Sequence, residues 1–381
     1  MELQGLVPLG DFRPPQMPAE EKVEALFARV KAMFMARAGQ DVVATERLET
    51  PSLRRLDDAA QPPACAPLMS DLGRAMAQWL EKPVAAGTLL AVVTPPSDRG
   101  DVVGSWADTA DVRTLAPPLQ RTGNLDLDAL ASLPDDTALV VPQLERWFVR
   151  SPEGLERMRQ LLAVLSMRRQ VLIGCNSFAW AFLAKTIRID LVAPGPFTFR
   201  PFDGPMLEEW LVGLAQDELD RSSGFRMAEG GGYLLRDGAD EETSHFFQTL
   251  AGRSLGVPGI AWHMWRDMLR LDDLEGATDG SQGEHSAQRQ TFWIAAMDEL
   301  VLPGDYPRDL LFALHALCLH GTLTPQQLIA AVPDNSGAAM IPALRGSKFI
   351  QFESGELGIR PEAYPAVRAG LLSSGFPVGA I

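Results

Sequence analysis

The residues able to do chemistry are few and scattered. Five histidines, His245, His263, His285, His315 and His320, are spread over the C-terminal half. His315 and His320 stand five positions apart near the end of a predicted helix. A spacing of three or four would put two metal ligands on one face, so this spacing argues against a zinc pair. Cys65, Cys175 and Cys318 are far apart and make no CxxC string. They read as reduced thiols, Cys175 within a buried strand. No GxSxG, HExxH or EF-hand string occurs, so nucleophile-elbow, zincin and calcium-loop chemistry have no sequence support. Trp262 and Trp265 share one helix face and would stack on a base, but no basic residues interleave with them as single-strand binding requires.

Charge carries more information. The 381 residues have a formal net charge of −15, with 46% hydrophobic and 22% charged residues. This composition excludes global disorder. No apolar run approaches the ~18–20 residues that span a bilayer, and the N-terminus lacks a basic-then-apolar leader pattern. A cytoplasmic protein is expected. Residues 202–310 hold 21 acids and 8 bases, a net of −13. Such a block is either a solvated surface or a docking face for a basic partner. Only five lysines occur, Lys22, Lys31, Lys82, Lys185 and Lys348, with none between 83 and 184.

These residues must be positioned by elements that the hydrophobic pattern outlines. Residues 1–18 are rich in Pro and Gly and read as an extended tail. Residues 19–38 have apolar positions at helical spacing, with acids at the start and Arg37 near the end. A Pro-bearing linker follows over 40–67, then a short helix that ends before Pro83. From 89 to about 200, strand and helix alternate. LLAVV (89–93), VRTLA (112–116), ALVV (138–141) and QVLIGC (170–175) are apolar strands. Helices are expected over 100–109, 125–133 and 152–167, and again after Cys175. Continuous apolar strands separated by helices predict a doubly wound parallel sheet covered on both faces. Residues 203–300 look helical, with a polar, acidic loop over 272–289. The last 75 residues read helix–helix–helix–β-hairpin–helix, the order of a winged helix-turn-helix module. Thr322 or Thr324 caps the second of these helices, and Pro325 opens it. Pro342 is expected to interrupt the third.

An α/β layer, a helical segment and a winged helix in this order resemble the AAA+ and STAND-type P-loop ATPases over roughly 89–370. The resemblance predicts an N-terminal tail with helices (1–82), a P-loop NTPase-like α/β domain (83–202), an acidic helical lid (203–305) and a winged-helix domain (306–381). It also predicts where the nucleotide motifs belong. Laid on GxxxxGK[ST], the stretch after the first strand matches only at Gly100. Asp101 takes the Lys place and Val102 the Ser/Thr place, and Pro95 and Pro96 remove backbone donors. At the Walker B position ALVV is followed by Pro142-Gln143, with neither acid present. Glu145, two residues on, reads as a surface or capping carboxylate. Asn176, with Ser177, takes the sensor position just past a strand, where it also reads as a helix N-cap. Gly256-Val257-Pro258-Gly259 resembles the lid motif, which brings Arg266 near a second sensor position.

The resemblance therefore implies a degenerate ATPase that keeps the fold and binds a protein, with no catalytic residue, metal or cofactor. The partner would be an active ATPase relative or a basic protein docking on 202–310. A DNA-binding regulator acting through the winged helix is the alternative. The five bases and five acids of 308–381 give it no net charge for phosphate contacts. An ATPase with an atypical phosphate loop is the third reading.

Overall fold

The computed structural model describes residues 5–18, 48–49, 66–81, 89–96, 101–118, 120–123, 125–134, 138–168, 170–218, 224–227, 241–272, 291–297, 300–333 and 337–381. The helix expected over 19–38, most of the linker after it, Gly100 and residues 273–289 of the expected acidic loop lie outside the described residues. The chain divides into two compact units, one formed by residues 1–13, 65–200 and 304–381, the other by 14–64 and 201–303.

The first unit begins with β1 (Leu6–Pro8), while β2 (Leu48–Glu49) belongs to the second. Then follow α1 (Ala66–Glu81), β3 (Leu90–Thr94), α2 (Val102–Thr109), β4 (Arg113–Thr114), α3 (Leu127–Ala131) and β5 (Leu139–Val141). The α/β layer closes with α4 (Pro152–Ser166), β6 (Val171–Asn176), α5 (Ser177–Ile187), α6 (Ile189–Val192) and β7 (Phe197–Phe199). The strand order is β1-β7-β3-β6-β5-β4. Every pair is parallel except β1 on β7. Each residue of β5 and β6 is buried, as a sheet covered on both faces requires. This mixed α/β architecture with a mainly parallel sheet fits a P-loop NTPase fold. The expected extended N-terminal tail is broken by a 3-10 turn at Leu9–Asp11, and its start is docked on the sheet. Leu6 pairs with Phe199, and Leu6 and Phe12 are buried, because the outer edge of β7 offers an unfilled ladder that β1 completes.

In the second unit α7 (Gly204–Glu218), β8 (Gly224–Met227), α8 (Glu241–Arg253), α9 (Pro258–Met268), β9 (Leu269–Asp272) and β10 (Thr291–Ile294) follow. Here the expectation of helices alone is corrected by a four-stranded sheet, β2-β9-β10-β8. Its apolar residues Phe225, Leu269, Phe292 and Ile294 are buried, and the rings of Phe225 and Phe292 stack at 5.5 Å. Trp265 joins Phe225 at 5.2 Å. Trp262 and Trp265 are both buried, so neither forms an open stacking platform.

The chain then returns to the first unit with α10 (Arg308–His320), β11 (Thr322–Leu323), α11 (Pro325–Ala331), α12 (Gly337–Arg345), β12 (Ile350–Glu353), β13 (Glu356–Ile359) and α13 (Tyr364–Ser373). The three strands pair antiparallel in the order β11-β13-β12. Thr324 and Gln327 form a capping box on α11, with Pro325 in its first turn. Pro342 lies inside α12 without breaking it. The helix runs on because Gly346 N–H still finds the Pro342 carbonyl at 3.2 Å. Residues 313–320 of α10 are all buried, which marks a helix packed on every side.

Candidate functional site

Sheet order fixes where a ligand would enter. From β3 the chain crosses to β4 at the far edge and returns through β5 to β6, beside β3. It then passes over to β7 on the other side of β3. In doubly wound sheets the ligand crevice lies outside the carboxyl ends of the strands where the order reverses. Here that point is the pair β3–β6, whose last registered residues are Thr94 and Asn176. Asp101 at the start of α2 and Glu145, in the 3-10 turn Leu144–Trp147 after β5, belong to the same edge.

Asp101 is the N-cap of α2, in the left-handed region at φ 40° and ψ 60°. Its Oδ1 accepts the Gly104 N–H at 3.1 Å. The chain thus supplies its own carboxylate where a helix N-terminus would otherwise receive an anion. Burial pushes its pKa up, and the Gly104 N–H pulls it back down. Val102, in the expected Ser/Thr place, is a buried side chain.

Glu145 is not a surface carboxylate, which corrects the sequence reading. It is 9% exposed, and Oε2 accepts the Asn176 N–H at 3.1 Å. Burial raises its pKa to about 7, against the pull of backbone N–H groups and Arg121. The local pattern LERW puts two charged residues together as a surface turn does, and the layer that covers Glu145 comes from α10, 175 residues on.

Asn176 uses both ends of its amide. Oδ1 accepts Ala179 N–H at 2.8 Å and caps α5, and Nδ2 donates to the Leu319 carbonyl of α10 at 3.0 Å. Next to it, Ser177 Oγ donates to the Ile381 carbonyl at 3.0 Å, which also accepts Tyr364 OH. Arg121 Nη1 donates to the His320 carbonyl at 3.1 Å.

The two histidines of α10 complete the contact. Arg150 N–H donates to His320 Nε2 at 3.2 Å. Nε2 is therefore an acceptor, and the ring proton sits on Nδ1, which faces the Glu145 carbonyl at 3.4 Å. Arg150 Nη1 lies 3.4 Å from His315 Nδ1, and His315 Nε2 donates to the Pro377 carbonyl at 3.0 Å. Arginine only donates, so His315 is also held neutral, in the opposite tautomer. Burial lowers His320 to about 3, helped by Arg121, and His315 to about 4, helped by Arg150. A third Arg150 donor, Nη2, reaches the Ala331 carbonyl of α11 at 2.6 Å.

Of the sequence-derived positions, Asp101, Val102 and Asn176 meet at this carboxyl edge, and Gly100 lies outside the described residues. Arg266 belongs to the second unit, where its guanidinium lies 5.4 Å from the Trp262 ring centroid. The cluster of Arg121, Glu145, Arg150, His315 and His320 has no local signal, because its hydrogen bonds join residues 165–199 positions apart. Among the described residues no group of three His, Cys, Asp or Glu could hold a metal ion, and no helix is long and apolar enough to cross a membrane. An open cavity of about 420 Å³ lies nearby, lined by Arg150, Ser151, Pro152, Leu155 and Arg159.

No family model and no curated protein matches this chain. Solved structures similar to it include two Aeropyrum pernix proteins. One is ORC2 in ADPNP-ADP complexes, with 12% identity over 86% of this chain and 99% of that one at a TM-score of 0.35. The other is ORC1 in complex with DNA, with 12% identity over 88% and 99% at 0.39. A point variant of Thermotoga maritima RuvB has 16% identity over 81% and 95% at 0.33.

Proposed function

We propose that this chain is a nucleotide-independent AAA+/STAND-like scaffold that works by binding a protein partner. The observation that carries this reading is the packing of the chain's own α10 against the β6 side of the switch point, through Asn176 Nδ2 on the Leu319 carbonyl. Asp101 adds to it. A carboxylate and a phosphate charge ~4 Å apart repel by ~4 kcal/mol at an effective dielectric of ~20, close to a 10³-fold loss of affinity. No lysine between 83 and 184 offsets this. Calorimetric titration of the full chain with Mg-ATP should give no binding at sub-millimolar concentration. A micromolar dissociation constant would overturn the reading.

The four helices and three-stranded sheet of 308–373 support a winged-helix reading of the C-terminal segment. A DNA-binding role is the second reading, favoured by one feature. Arg345, Lys348 and Phe352 are exposed, with the Arg345 guanidinium 3.9 Å over the Phe352 ring. Zero net charge over 308–381 weighs toward protein docking instead. Gel shifts with random-sequence duplex at moderate salt should give no retention, whereas tight, strongly salt-dependent retention would favour DNA.

A further inference from the structure

We infer that residues 304–381 form a latch closed on the carboxyl edge of the sheet, and that acid opens this latch while the rest of the fold persists. The inference rests on Arg150 as a hub. Its backbone N–H, Nη1 and Nη2 point to His320 Nε2, His315 Nδ1 and the Ala331 carbonyl, which spans α10 and α11 from one residue at the foot of α4. A proton on His320 Nε2 would face the Arg150 N–H head to head. A proton on His315 Nδ1 would face the Arg150 guanidinium in the same way. Each protonation turns a bond of the latch into a repulsion between donors.

Every group that faces these rings bears on the balance. His320 is met by Arg121, Arg150, Glu145 and His315, and by the ring of Phe148. His315 meets Arg150, the Pro377 carbonyl, and the rings of Phe178 and Phe376. Arg146 and Glu356 act on Arg121, and Asp101 acts on Glu145. Glu145 opposes the histidines. Its closed-state pKa of about 7 means that acid neutralises it inside the closed latch and favours closure. The histidines, at about 3 and 4 when closed, favour opening below the ordinary histidine pKa of ~6.5. Between pH 7.5 and 5.0 the two histidines shift the balance toward opening by ~10³-fold, and Glu145 shifts it back by ~60-fold. The net is about a tenfold opening on acidification, with the latch insensitive to pH above about 6.5.

Two native thiols report on the latch. Cys318 lies on α10 and Cys175 on β6, and both are buried. The full chain would be labelled with 4,4′-dithiodipyridine at pH 7.5 and 5.0, and Cys175 and Cys318 read separately by peptide mass spectrometry. Rates are normalised to glutathione in the same buffers, with far-UV circular dichroism recorded in parallel. Normalised labelling should rise about tenfold in the native chain at pH 5.0, with the dichroism kept. Glu145→Gln removes the opposing group, so the rise should steepen toward ~10³-fold. His315→Gln with His320→Gln should reverse the trend and slow labelling in acid. Equal pH profiles for the native chain and Glu145→Gln would overturn the inference. So would labelling that rises only as the dichroism is lost, because the chain would then open by unfolding rather than at a latch.

Discussion

Asn176 and Leu319 stand 143 residues apart, yet the side-chain amide of the first donates to the carbonyl of the second at 3.0 Å. The same amide caps α5 through its oxygen. One side chain thus orders the end of β6, the start of α5 and the last turn of α10.

Asn176→Ala removes both bonds at once. Loss of an N-cap costs about 0.5–2 kcal/mol, and a buried carbonyl left without a donor costs ~1–3 kcal/mol. The first unit should lose ~2–4 kcal/mol in urea unfolding followed by circular dichroism. Asn176→Ser keeps a capping oxygen without the second donor, and should fall between the parent and the alanine variant.

Glu145 sets a pH dependence opposite to that of most carboxylates. Its folded pKa is about 7, above the ordinary value of ~4.3 for an unfolded chain. The folded state therefore binds more protons between these values, and stability is lost as pH rises through 7. Glu145→Gln should leave stability at pH 4 unchanged and raise it at pH 8 by at most ~4 kcal/mol. Denaturation midpoints measured at both pH values check the sign as well as the size.

Pro342 lacks the N–H that would close a turn of α12, and it sits in the helix interior. Proline there costs ~3 kcal/mol relative to alanine, less ~0.4–1 kcal/mol of unfolded-state entropy that it removes. Pro342→Ala should stabilise the C-terminal segment by ~2 kcal/mol, visible as increased amide protection over 337–345 in hydrogen exchange. Faster exchange in this variant would mean that the proline makes a contact worth more than the missing bond.

The acid-rich stretch 202–310 should act on encounter rates. Replacing Glu208, Glu209, Asp217 and Glu218 with their amides removes four of its net 13 negative charges. Association of an octalysine peptide, followed by stopped-flow fluorescence, should slow roughly two- to fivefold at low salt and depend less on salt. Rates that ignore both salt and the substitutions would mark the stretch as a solvated face only.

What the sequence discloses follows from the range of the forces involved. Strands β3, β5 and β6 are uninterrupted apolar runs, and α4 carries its own period and cap, so their positions are legible within a residue or two. The Asn176 cap is legible for the same reason, because its partner is three residues away. Strands β8, β9 and β10 are four residues each. Leu269–Asp272 continues the apolar rhythm of α9 directly, so nothing local separates helix from strand there. Glu145 escapes a local reading because its burial is imposed by α10 from far along the chain.

The first unit is assembled from three separate stretches of chain, and this has a consequence for synthesis. The ribosome completes β7 at Phe199 long before α10 ends at His320. The 121 residues between them take roughly 6–24 s at ~5–20 residues per second. Through that interval Asn176, Arg121 and Arg150 have none of their C-terminal acceptors, and the carboxyl edge of the sheet stays wet. The sheet therefore has all six strands but waits without α10 on its carboxyl edge while the whole acid-rich insertion is made. Nascent-chain arrest before residue 304 should leave it accessible to chaperones, and arrest beyond 381 should not.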